Sequence, residues 1–116
     1  VCHGVTPDNS YNAFETGTGT VISRGPNIHP KMAEKLKDLA DENGIKYSID
    51  VDGGDTGTDA WAIQVAREGV PTALLSLPLK YMHTSVETVS MDDAEATARL
   101  MTEFIRNVKG VDWLCF

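Results

Sequence analysis

Positive charge is in short supply in this sequence. Ten Lys and Arg stand against 17 Asp and Glu, for a formal net charge of −7. Nucleic acid and anionic membrane surfaces both demand a basic face, so neither is expected as a partner. Cysteine is scarce too. Cys2 and Cys115 sit near opposite ends and make no metal or redox spacing. They read as reduced thiols of a cytoplasmic protein, with a terminal disulfide as the other option. There is no run of about 18 apolar residues, hence no expected membrane-crossing helix, and no signal-peptide pattern. Gly17-Thr18-Gly19 lacks the third glycine and the strand-turn-helix setting of a nucleotide fingerprint. Thr84, Ser85 and Ser90 have no paired base, so nucleophilic catalysis has little support. The start at Val1 rather than Met suggests a fragment or a processed product.

What is present suits one modest globular domain: 116 residues, 41% hydrophobic and 23% charged. Val1–Val5 reads as the tail of a strand and residues 6–19 as a loop. Thr20-Val21-Ile22-Ser23 reads as a strand closed by Gly25-Pro26. Pro30 suits the first turn of a helix. Met32, Leu36, Leu39 and Ala40 give that helix an apolar face, and Gly44 ends it. Tyr47, Ile49 and Val51 alternate with Ser48, Asp50 and Asp52, the pattern of a half-buried strand near a sheet edge. After the glycine-rich segment 53–57, Asp59 or Thr58 caps a helix expected to reach Gly69, with Ile63 and Ala66 or Ala62 and Val65 as inner faces. The apolar run Val70–Leu77 reads as a central strand covered on both faces and stopped by Pro78. Ser90-Met91-Asp92-Asp93 resembles a capping box. Ala94, Ala98, Met101, Phe104, Ile105 and Val108 then mark an amphipathic helix to Gly110. An apolar tail with Trp113, Leu114 and Phe116 is expected to dock somewhere. The alternation of strands and helices predicts α/β: a three-layer α/β/α sandwich fragment with a mainly parallel sheet.

One residue invites a chemical reading. His83 follows the apolar run and is flanked by hydroxyls and Glu87. Imidazole is a common metal ligand, yet by spacing alone a loop histidine with a structural hydrogen bond is the favoured reading, and one histidine never completes a metal site. Asp59 serves as a carboxylate near a site or simply as a helix cap. Asp50, Asp52 and Asp55 lack the spacing of a calcium loop and read as a solvated strand edge. His3 and His29 are weaker candidates.

These same residues carry a resemblance. Gly57-Thr58-Asp59-Ala60, Gly69-Val70-Pro71-Thr72, Ser76-Leu77-Pro78, and Tyr81-Met82-His83-Thr84 with Glu87 resemble the C-terminal portion of the tetrahedral (TET-type) metallo-aminopeptidases. Upstream, Gly25-Pro26-Asn27-Ile28-His29-Pro30-Lys31 extends the likeness over nearly the whole chain. The family often has Gly-Pro where Gly19-Thr20 stands, and Arg where Lys80 stands. The resemblance implies two divalent ions, zinc or cobalt, with His83 as one ligand. It also implies that Gly57, Thr58 and Asp59 line the bound peptide. The remaining ligands and the general base would lie upstream, so no catalytic residue is assigned within residues 1–116. The chain would be the C-terminal part of the catalytic domain, without the dimerisation domain and the N-terminal catalytic part, and inactive by itself. The parent would be a cytoplasmic enzyme that removes N-terminal residues from peptides. Its dimers would assemble into a tetrahedral dodecamer.

Two other classes compete. Some relatives have been labelled endoglucanases, but a glycosidase needs two facing carboxyls; Glu87, Asp59 and Asp55 are not visibly paired, and no aromatic platform is evident. A non-catalytic α/β module that binds a partner through an exposed seam is the third reading.

Overall fold

Strand β2 (Thr20–Arg24) is buried on both sides: Thr20, Val21 and Ile22 are fully covered and Ser23 nearly so. The computed structural model, which describes residues 1–7 and 13–109, places it between two partners. On one side β3 (Tyr47–Val51) runs parallel to it over five residue pairs, from Thr20 opposite Tyr47 to Arg24 opposite Val51. On the other side β4 (Leu75–Ser76) runs antiparallel. Helix α1 (Pro30–Glu42) is the crossover between β2 and β3. It begins at Pro30 as the sequence suggests and buries Ala33, Leu36, Leu39 and Ala40.

A second three-stranded sheet has β5 (Pro78–Lys80) at its centre. It pairs parallel with β1 (Cys2–His3) and antiparallel with β6 (Thr88–Val89). Since β4 and β5 are separated only by Leu77, the segment 75–80 ties the two sheets together. Helix α3 (Met91–Asn107) packs against α1 and β2. Ile22, Ile28, Leu36, Leu39, Ile45 and Leu100 form the centre of this core. The α/β class stands and the longest ladder is parallel, while each sheet also carries an antiparallel pairing.

Several expectations give way. Val70–Leu77 is not the central strand: within it the strand is only Leu75–Ser76, and β2 occupies the middle of that sheet. Apolar runs fit a covered strand and irregular buried chain alike; just before β4 the Leu74 carbonyl still accepts the Ser23 N–H at 3.1 Å, and Ala73 packs on the core. Pro78 opens β5 instead of stopping a strand, which its missing N–H permits at a first position. Helix α2 (Asp59–Gln64) ends well before Gly69. Neither expected inner face holds: Ala60 is its buried residue, while Ile63 and Val65 are exposed. The apolar face of α3 is also shifted. Asp93 and Leu100 are buried, and Met101 and Ile105 are exposed at 50% and 65%. The tail Trp113–Phe116 and residues 8–12 of the loop lie outside the described residues.

The capping box does not form. Ser90 is the N-cap of α3 but its side chain makes no capping bond. Asp93, fully buried, instead accepts hydrogen bonds from the Gly17 N–H (2.8 Å) and the Gly19 N–H (2.7 Å). Two glycines bracket β2 because β3 lies so close. A Cβ on Gly19 would overlap the Lys46 carbonyl, and one on Gly25 the Asp52 carbonyl; both glycines have positive φ.

Candidate functional site

The alternation of β2 and β3 gives their shared sheet two unlike faces. Ile22, Ile49 and Tyr47 turn to the α1–α3 core. The intervening residues, Ser23 and Asp50, are register partners and line a cleft with Ser76 of β4. This cleft has a volume of about 400 Å3. Cys2 and His3 of β1, Phe14, and Asp52 just after β3 complete much of its wall.

Thr56, Gly57 and Thr58 border the same cleft. Their loop is held by local bonds. Asp55 Oδ1 accepts the Gly57 N–H at 2.7 Å, and the Thr56 and Thr58 hydroxyls are 2.9 Å apart. Gly57 sits at φ +63°, a conformation that favours glycine. Thr58 is the N-cap of α2 and accepts the Ala60 N–H at 3.3 Å. Asp59, the other capping candidate, is an exposed residue of the first turn. There its charge suits the positive end of the helix dipole. Of the three expected peptide-lining residues, Gly57 and Thr58 border the cleft and Asp59 is not among its lining residues.

His83 lies three residues beyond β5, in a turn whose neighbour Met82 lines the cleft. Tyr81 (φ +58°) and His83 (φ +62°) are both left-handed non-glycine residues, a costly arrangement that clusters at functional sites. The turn is closed by the Thr84 N–H and hydroxyl, both donating to the Tyr81 carbonyl. Glu87 Oε1 accepts the backbone N–H of His83 at 2.6 Å. So the carboxylate orients the His83 backbone, not its imidazole, which is exposed.

The cleft is acidic, with no Lys or Arg side chain among its lining residues. Burial, reinforced by the neighbouring Asp52 charge, raises the Asp50 carboxyl above the usual range. Burial likewise pushes the Cys2 thiol up to about 11, with Asp50 adding to the rise. Such a surface favours a cationic group. Among the described residues no set of three or more His, Cys, Asp or Glu side chains stands close enough to hold a metal ion. His83 therefore does not by itself fit a two-ion centre. Sequence reasoning passed over Cys2, Phe14, Ser23 and Ser76 as cleft residues and took Asp50 and Asp52 for a solvated edge. The period-two pattern of β3 was the available signal for the two aspartates.

Comparison with known proteins decides the family. Residues 1–100 match the M42 glutamyl aminopeptidase family model. The chain belongs to that family. A lysyl aminopeptidase of Pyrococcus furiosus is 37% identical over 99 residues, which is 85% of this M42 chain and 29% of the relative. The structure of aminopeptidase APDkam598 from Desulfurococcus kamchatkensis is 31% identical with a TM-score of 0.71, covering 93% of this chain and 33% of that one. A TET aminopeptidase from Thaumarchaeota archaeon SCGC AB-539-E09 shares the fold with a TM-score of 0.81 at 24% identity, over 92% of this chain and 31% of its own. A Pyrococcus horikoshii TET1 peptidase, described as assembling into a tetrahedron or a large octahedral shell, is 31% identical with a TM-score of 0.60, over 78% of this chain and 27% of its own. The M42 chain thus spans about a third of the length of these relatives.

Proposed function

We propose that this M42 chain forms the C-terminal part of the catalytic domain of an aminopeptidase that removes N-terminal residues from peptides. The observation that carries the reading is the acidic cleft on the polar face of the β2–β3 sheet. A peptide's free α-ammonium is a cation that Asp50 and Asp52 would attract, and Gly57 and Thr58 border the space it would enter. Family membership supplies the reaction class.

In this reading His83 gives one nitrogen to a centre of two divalent ions, zinc or cobalt. Such a centre supplies a Lewis acid and an activated water. The other donors come from the part of a family-length protein that this chain does not span, because the described residues lack a sufficient set. The 116 residues alone are then inactive, and the family-length protein forms homo-oligomers, which the shell-forming TET1 relative supports; we take the assembly to be dimers that build a dodecamer. We assign it to the cytoplasm on the reduced-thiol reading, with Cys2 a free thiol.

The test uses a family-length protein containing this sequence, assayed on aminoacyl p-nitroanilides and on carboxymethyl cellulose with its metal content measured. Turnover of the anilides alone is expected. His83→Ala should lower metal content and activity together, by at least tenfold, the scale on which even outer-shell metal partners act. If metal and rate both survive that change, the ligand assignment is wrong. If cellulose is the substrate that turns over, the aminopeptidase reading is wrong.

A further inference from the structure

The loop 81–87 hangs between two strands that are paired at its base. Lys80, the last residue of β5, is the register partner of Thr88, the first of β6. Glu87 therefore sits one residue from the end of that ladder, which limits where its carboxylate can go. At the other end of the loop, the Thr84 N–H (3.2 Å) and hydroxyl (2.6 Å) both donate to the Tyr81 carbonyl. Those bonds close the turn, but the His83 amide takes no part in them. Its contact is the Glu87 carboxylate, at 2.6 Å.

That amide bears on where the imidazole points. Holding the N–H fixes the plane of the peptide that leads into His83. From that plane, φ +62° sets the direction of the Cα–Cβ bond, and so the side of the turn from which the imidazole leaves. Residues with a Cβ avoid this left-handed region, and Tyr81 carries the same cost two residues earlier. Without a contact that favours it, His83 would relax to negative φ and present its ring elsewhere. Met82, which lines the cleft, would be disturbed with it. A bond to a carboxylate is about twice as strong as one between neutral groups. We propose, on the reading that His83 serves the site, that Glu87 is its positioning residue: the carboxylate clamps the His83 N–H and so keeps the ring aimed and Met82 in place.

In the 116-residue chain the His83 amide reads the contact directly. Glu87→Ala should speed its hydrogen exchange about tenfold, the scale of one bond to a charged group. Its amide–α-proton coupling should move to the value for negative φ. Glu87→Gln keeps an acceptor at the same reach and should behave as the parent. Glu87→Asp is one methylene shorter and should behave as the alanine variant. Glu87 is exposed and the opening is local, so the thermal midpoint should change little, which a merely structural contact would not allow. In the family-length protein, Glu87→Ala should lower kcat about tenfold with KM little changed, and Glu87→Gln should restore it. An unaltered His83 amide in Glu87→Ala overturns the clamp. Full activity in a protein whose His83 amide has loosened overturns its purpose, as does failure of Glu87→Gln to rescue a folded protein. If His83→Ala leaves the rate intact, it is the reading of His83 that fails, and the amide result still decides the clamp.

Discussion

Replacing Asp93 with alanine should be among the most damaging single changes outside the apolar core. Its carboxylate is fully buried and accepts two short bonds, from Gly17 N–H and Gly19 N–H. Hydrogen bonds to a charged group contribute about 1.5–3 kcal/mol each, and an orphaned buried donor costs about 1–3 kcal/mol. Gly17 is exposed and its N–H can turn to water, whereas Gly19 is buried and its N–H cannot. The loss is therefore about 3 kcal/mol at Gly19 and about 1 kcal/mol at Gly17. A domain of this kind has only about 5–15 kcal/mol in total. With a urea slope of about 2 kcal/mol per molar, the midpoint should fall by about 2 M. Asp93→Asn keeps one acceptor and turns an amide NH2 towards a donor, so it should lose about half as much. Asp92→Ala, one residue away and exposed, controls for the helix dipole and should cost under about 1 kcal/mol. Urea titrations followed by circular dichroism measure all three. Desolvation of a buried carboxylate opposes these bonds. If Asp93→Asn is as stable as the parent chain or more so, desolvation wins and the account of this contact is wrong.

Gly25→Ala should cost about 3 kcal/mol or more, since the added Cβ meets the backbone carbonyl of Asp52, whereas Gly44→Ala meets open space and should cost about 1 kcal/mol for its positive φ alone. Thermal melts of the two variants compare them, and equal midpoints would contradict the close approach of β2 and β3. Asp50 binds its proton more tightly in the folded state, so stability should fall as pH rises from the ordinary carboxylate range through its raised value. Asp50→Asn should raise the unfolding midpoint at neutral pH and leave it unchanged in acid; a gain that persists in acid would point to another cause. In a Cys115→Ser chain, iodoacetamide should label Cys2 slowly at neutral pH, with the rate rising towards a midpoint near 11. A midpoint near the ordinary thiol value would mean that Cys2 is not buried as described.

The elements with strong local signals were legible in the sequence. Pro30 and the spacing of Leu36, Leu39 and Ala40 define α1, and the alternation from Tyr47 to Val51 defines β3 as an edge strand. Where the outcome depended on partners distant in sequence, the reading failed. The apolar run before Pro78 looks central, but which strand lies in the middle is set by ladders that β2 forms with both β3 and β4. Asp93 carries the local pattern of a capping residue, yet its partners lie more than 70 residues away, and no local rule weighs that alternative. Gly17-Thr18-Gly19 shows the same limit from the other end. It is too poor in glycine for a phosphate loop, and its actual use is to offer two N–H groups to Asp93 and to let Lys46 come close. At the candidate site, Gly57 and Thr58 were legible as a special loop, and His83 as a residue past a strand end. The aspartates of β3 were visible, but the cleft they face needed β1 and Phe14 opposite them.

The cleft and the helical core are joined through one short loop. Phe14 lines the cleft and is fastened to β1: its N–H donates to the His3 carbonyl at 2.8 Å, and its own carbonyl accepts the Val5 N–H at 3.0 Å. Three residues on, Gly17 is held by Asp93 in the first turn of α3, and Gly19 then leads into β2. The wall of the cleft is therefore positioned by a carboxylate that the cleft does not contain. Releasing Asp93 frees the loop between two fixed points, Phe14 and Thr20, and the register of β2 against β3 is still held at its far end by the Asp52 N–H donating to the Arg24 carbonyl. Damage should thus spread towards Phe14 before it reaches Asp50. In a chain that survives Asp93→Asn, amide exchange should accelerate first at Gly17 and Gly19, next at Phe14 and Val5, and remain slow within β3, because opening of the loop needs no rupture of the parallel ladder.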